Sequence, residues 1–362
     1  MYVKLEQTIP QHGLAWFSVP KKMRLRGAKT LFGEKLVSQF LPSAFENRNT
    51  EGFLLVRIPE NVTEIELTEE TEFTLIPATP FVSVCNQGVK VETANDSFCI
   101  SDSVHSSEEC QHGTYYLFHR EIKAVASEGP LFDVCRVQAV PTDKNNQTIG
   151  TTVVHYDFVR MKDIPLIQIL SCYHGEKCWS VNDISFTQLV IPKAEFSSWA
   201  AGNPACGGTF DLNPETGTVP ILESTIPVVP FEGVHGYKTD FEHYFSLSGK
   251  NQSIALVGGQ VTVCFYPHVL YGEKYWQIGF RAMNGQQNLM SIGSECPLMG
   301  SVVVGDAAKL AGEWCKKLPP IIQIEEESNE QIALDAGDLS VQLRVSDDSI
   351  RLFKVTDQKT GY

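Results

Sequence analysis

At 362 residues, with 43% hydrophobic and 20% charged side chains, the chain carries enough apolar material for a sizeable core, which excludes global disorder. Its net charge of −14 repels a phosphate backbone, so strong nucleic-acid binding is not expected. No run approaches the roughly 18–20 consecutive apolar residues of a membrane span, and Met1–Pro10, which contains Lys4, Glu6 and Gln7, lacks the apolar centre of a secretory leader.

In chain order, Lys21–Gly27 (KKMRLRG) alternates Met23 and Leu25 with basic residues and predicts a half-buried strand. Ala28–Leu41 predicts an amphipathic helix, with Phe32, Leu36 and Phe40 on one stripe and Pro42 as its stop. Strands are then predicted at Phe53–Ile58, Glu64–Leu67, Glu72–Ile76, Phe81–Cys85, Thr114–Phe118 and Phe132–Val140. Asp143–Gly150 (DKNNQTIG) reads as an exposed turn, followed by strands at Thr151–Val159, Leu166–Cys172 and Ile184–Ile191.

Ala200–Pro220, rich in Gly, Pro and Asn, predicts a long loop or a domain junction. Further strands follow at Ile254–Val257, Gln260–Tyr266 and Tyr275–Phe280, then a second short helix from Asp306 to about Leu318 that Pro319 and Pro320 end. The tail gives strands at Ile321–Ile324, Leu339–Val345 and Ile350–Val355. Many short strands with two isolated helices, and no alternating βα pattern, predict a mainly β fold of sandwich or jelly-roll-like domains. The expected division is an N-terminal β domain at 1–195, a second at 196–318 ending in the short helix, and C-terminal strands at 319–362 that pack on the rest or on a neighbour.

Ten cysteines and four sequons, at Asn61, Asn95, Asn146 and Asn251, raise an extracellular reading with disulfides and glycans. Cys99 with Cys110, and Cys172 with Cys178, each enclose a short polar loop and are the candidate disulfides. The opposing reading is that thiols in apolar strand patterns, such as Cys85, Cys135 and Cys264, are small buried hydrophobes. Cys172, His174 and Cys178, with Cys110 and His112, lack the paired short spacing of a structural zinc site, so no metal is expected. Ser248-Gly249-Lys250 lacks the upstream glycine of a phosphate loop, where Tyr244 stands, and no cofactor is expected. Cys206, in a Cys-Gly-Gly string, could act as a nucleophile with His155, His235 or His243 as base, but no family signature surrounds it.

Charge is distributed unevenly. Lys21, Lys22, Arg24, Arg26 and Lys29 place five cations within nine residues, while Glu60, Glu64, Glu66, Glu69, Glu70 and Glu72 form an acidic stretch. The bland reading is solvated strand faces that blunt sheet edges; the functional one is docking of basic strand against acidic strand between copies. No catalytic residue is assigned. The resulting expectation is a non-enzymatic structural subunit that self-assembles, as a viral capsid or virion coat protein put together in the host cell. The alternatives are an extracellular, disulfide-bonded β ectodomain that binds a protein or glycan, and a cysteine-dependent enzyme.

Overall fold

The computed structural model describes the chain apart from residues 6–8, 44–49, 71–74, 87, 94–95, 107–112, 119–121, 149–151, 175–178, 193–194, 197, 203–207, 212–243, 251, 259–264, 272–274, 283–287, 291–294, 325–329, 337–338, 347–348 and 358–362. The fold is mainly β. Among the described residues the strands form five sheets, and three apolar cores separate four of these into a stack.

The outermost layer has the strand order Tyr2–Lys4, Glu64–Thr68, Gly27–Thr30, Lys35–Leu36, antiparallel throughout. Beneath it lies the order Ile321–Gln323, Leu14–Pro20, Thr50–Arg57, Ser38–Pro42, in which the first pair is parallel. A ten-stranded sheet follows, drawing strands from Ile76–Ala78 at one edge to Gly208–Asp211 at the other and thus from both sides of residue 195. The fourth layer is a nine-stranded sheet centred on Trp179–Pro192.

Stacking four deep explains the apolar runs. In Leu14–Pro20, Ala15, Phe17 and Val19 enter the core shared with Ala28, Ile65 and Leu67 of the outer layer. Leu14 and Trp16, pointing the other way, join Phe132, Val134 and Val159 of the ten-stranded sheet. A strand covered on both faces has no solvent side to fill with polar residues. The ten-stranded sheet is covered likewise, Leu166 facing Trp16 and its neighbours while Ile167 and Ile169 meet Phe186 and Phe280 of the fourth layer. Each fully buried Phe in these cores contributes about 1.5–3 kcal/mol.

Polar side chains stitch the layers. Trp16 Nε1 donates to Gln168 Oε1 at 2.8 Å. Gln39 Oε1 accepts from the Leu131 and Phe132 amides at 2.8 and 3.0 Å, and its Nε2 donates to the Phe132 carbonyl at 2.9 Å. In the deepest core Asp102 Oδ1 accepts from the Gln188 amide at 2.8 Å and Oδ2 from the Tyr156 hydroxyl at 3.0 Å. Gln188 follows Thr187, whose φ of 51° is unusual for a β-branched residue and marks a break in register.

Three local expectations are corrected. Ala28–Leu41 is not a helix but the strands Gly27–Thr30, Lys35–Leu36 and Ser38–Pro42. Gly33 holds a turn at φ 85°, Phe32 of the supposed inner stripe is 95% exposed, and Ala28, Leu36 and Phe40 are buried by sheet packing that helical periodicity does not describe. Lys21–Gly27 is extended only from Gly27, because the chain turns after Pro20, where the Met23 amide bonds the Pro20 carbonyl. Part of Ala200–Pro220 forms a hairpin, Ser198–Gly202 with Gly208–Asp211, on the ten-stranded sheet. The second helix is present as a 3-10 turn, Gly305–Leu310, running into an α-helix, Ala311–Lys317, with Ala308, Ala311 and Trp314 turned inward. His12 Nε2 donates to the Lys317 carbonyl at 2.6 Å and Nδ1 accepts from the Leu14 amide at 3.0 Å, so a neutral imidazole satisfies the helix end. Of the tail strands, Ile321–Gln323 joins Leu14–Pro20, while Glu330–Ala336, Leu339–Ser346 and Ser349–Asp357 pair with one another.

Candidate interaction face

The charge clusters converge on the outermost sheet. Val3, Ala28, Leu36, Ile65 and Leu67 point inward from it. By strand alternation its outer surface takes Tyr2, Lys4, Lys29, Lys35, Glu64 and Glu66. Register sets Tyr2 and Lys29 on either side of Glu66, with Lys4 opposite Glu64 and Lys35 opposite Lys29. Lys29 Nζ lies 3.1 Å from Glu66 Oε2. The basic and acidic segments therefore first meet each other within one chain. Both partners are partly exposed, so this pair contributes about 0–1 kcal/mol.

A cleft of about 1040 Å³ adjoins this sheet, and Lys22, Arg24, Glu69 and Glu70 are among the residues that line it. Arg26 turns away from it, pairing with Glu51 at 2.8 Å and stacking 3.7 Å over the Phe40 ring. Lys21, Lys22 and Arg24 are exposed, as are Glu69 and Glu70; Glu72 lies outside the described residues.

The hairpin between Gly27–Thr30 and Lys35–Leu36 rises beside the cleft, which Gly33 and Lys35 help to line. Its turn is closed by Thr30 and Glu34, amide to carbonyl at 2.8 Å. At its tip Leu31 is 50% and Phe32 95% exposed. Leaving these side chains in water forgoes what their burial would contribute, and the helical reading of this segment hid them. Tyr2, 64% exposed, stands across Glu66 from Lys29 on the same sheet.

The other candidates are dispersed. Cys99 and Cys172 are thiols, and their predicted partners Cys110 and Cys178 lie outside the described residues. Cys99 lies against Cys85, with the sulfurs 3.4 Å apart; burial, then the neighbouring Cys85, pushes the Cys99 thiol up to about 12. Asn61 and Asn146 occupy exposed turns at φ 68° and 64°, a conformation asparagine tolerates without any modification. Asn95 and Asn251, together with Cys206, His235 and His243, fall outside the described residues. His155 sits in the strand Val153–Met161. No cluster of three metal-ligating side chains occurs among the described residues, nor is any helix among them long and apolar enough to cross a membrane.

No family model and no curated protein matches the sequence. Among solved structures, an α-mannosidase from Enterococcus faecalis is similar at TM-score 0.42 and 8% identity, over 96% of this chain and 45% of that one. The GH36 α-galactosidase AgaB from Geobacillus stearothermophilus is similar at TM-score 0.38 and 11% identity, over 59% of this chain and 31% of that one. The α-galactosidase from Lactobacillus brevis matches at TM-score 0.38 and 6% identity, over 76% and 40%. This chain thus corresponds to less than half of each of these enzymes.

Proposed function

We propose that the chain is a non-enzymatic structural subunit that associates with copies of itself, and that it serves in a viral capsid or virion coat assembled in the host cell. The observation that carries the reading is the outer sheet, where an exposed Leu31–Phe32 tip stands beside a cleft whose walls hold both signs of charge. A tip and a cleft side by side on one surface are self-complementary about a two-fold axis, since each copy can offer its tip to the other's cleft. Covering Phe32 favours association by about 1.5–3 kcal/mol, and the mixed charges set register. The acidic surface fits a shell that does not grip nucleic acid.

Sedimentation of the native protein tests the reading. Assemblies at multiples of 40.2 kDa are expected. Phe32→Asp should return them to monomers whose circular dichroism matches the wild type's, because the side chain is almost fully exposed and supports no core. A wild-type chain that stays monomeric at every concentration overturns the proposal. The second reading, an extracellular binding ectodomain, draws support from the exposed turns at Asn61 and Asn146. Glycans on those two residues in protein from its native source, with a monomeric state, would favour it.

A further inference from the structure

Cys85 and Cys99 come from strands separated by a third. Val82–Cys85, Gly88–Glu92 and Ser97–Ile100 form an antiparallel meander at the edge of the nine-stranded sheet, with Val82–Cys85 outermost. Val89, Val91, Phe98 and Ile100 face the core, so alternation turns Cys85, Gly88, Lys90 and Cys99 to the opposite surface. Register places Cys85 opposite Gly88, and Lys90 opposite Cys99. Gly88, at φ 134°, draws the middle strand so close to Ile100 that an added Cβ would lie 2.1 Å from the Ile100 carbonyl oxygen. The two thiols meet across this strand at 3.4 Å.

We propose that Cys85 and Cys99 are the site of a reversible disulfide, formed by exchange with a low-molecular-weight disulfide such as oxidised glutathione. The sulfurs are at van der Waals contact, and because the strand Gly88–Glu92 stands between them, closing to a bond of about 2.05 Å requires the edge strand Val82–Cys85 to move inward in addition to side-chain rotation. Both cysteines are half-buried, which leaves a path for a small oxidant. In the first step one cysteine thiolate attacks a glutathione sulfur, forming a mixed disulfide and expelling one glutathione thiolate. The second cysteine, losing its proton, attacks the protein sulfur of that mixed disulfide and expels the other. Two protein thiols are oxidised, one glutathione disulfide is reduced to two thiols, and the two protons pass from protein to glutathione. Once Cys85 is in the mixed disulfide, its contribution to holding Cys99 protonated is gone, and the Lys90 charge beside it favours the thiolate needed for closure.

The proposal is independent of self-assembly. Its test equilibrates the full chain in glutathione buffers of stepped redox ratio, quenches with acid, alkylates and maps the cysteines by mass spectrometry after tryptic digestion. Cleavage after Lys90 separates the two cysteines, so the bond appears as two joined peptides. The expected product is a Cys85–Cys99 link that forms in the oxidising buffers, reverses in the reducing ones and persists in Cys110→Ser. In Cys85→Ser, Cys99 should be recovered as alkylated thiol or glutathione adduct. Full alkylation of both cysteines across the series overturns the proposal, as does a stable adduct on Cys85 that never closes, or Cys99 joined to Cys110.

Discussion

Asp102 is a carboxyl group enclosed in the deepest core, and its pKa is pushed up to about 6, chiefly by burial, although amide and Tyr156 hydrogen bonds act the other way. A proton is then held more tightly in the folded than in the unfolded chain. This group favours folding most below the unfolded value of 3.8, and the advantage is lost as pH rises toward about 6. The span corresponds to on the order of 3 kcal/mol. His12 works in the opposite sense. Burial lowers its pKa from 6.5, so acidification below that value favours the unfolded chain, in which the imidazole protonates more readily. Urea midpoints measured from about pH 4 to about pH 7 should separate the two. Asp102→Asn should remove the gain on acidification, and His12→Gln the loss. A wild-type profile unchanged in Asp102→Asn would mean that the carboxyl is not enclosed as described.

Gln39 sets the scale of a single element, because its amide is what joins the Ser38–Pro42 strand to the turn before Phe132. Gln39→Ala leaves two buried amides and a carbonyl without that partner and should cost about 3 kcal/mol, read as a lower denaturation midpoint at unchanged slope. The same residue shows where sequence patterning stops. The half-buried strand Glu64–Thr68 alternates apolar and polar residues, as does the sequence of Leu339–Ser346, and both are legible at once, whereas Gly88–Glu92 is not predicted although it alternates too. Leu14–Val19 does not alternate, since both of its faces are covered, and so it carries no period-2 signal. Within Ala28–Leu41 the apolar spacing satisfies a helix as well as a hairpin with an exposed tip, and only the neighbouring sheets decide between them. The charge clusters are visible as clusters, but the pairing of Lys29 with Glu66 depends on register across strands far apart in the chain. Likewise the nearness of Cys85 to Cys99 depends on the meander and has no signal in the spacing of the cysteines along the chain.

Taken as a whole, the molecule has layers that share cores, so no sheet of the four is independent of its neighbour. A fragment of residues 1–70 should fail to fold alone, since it lacks both Ile324 beneath its outer sheet and the Phe132 layer behind Trp16; circular dichroism of the purified fragment checks this. The parallel pairing of Trp16 with Ile321 has a temporal meaning as well. Synthesis delivers Leu14–Pro20 long before the strand that lines its edge, so the amide and carbonyl groups along that edge wait until Ile321–Gln323 has been made. On stalled ribosomes, protease should cut the N-terminal segment until the nascent chain has emerged past Gln323, and protection should then arrive abruptly. The last strand of this stack to be made is thus the latch on one of its earliest.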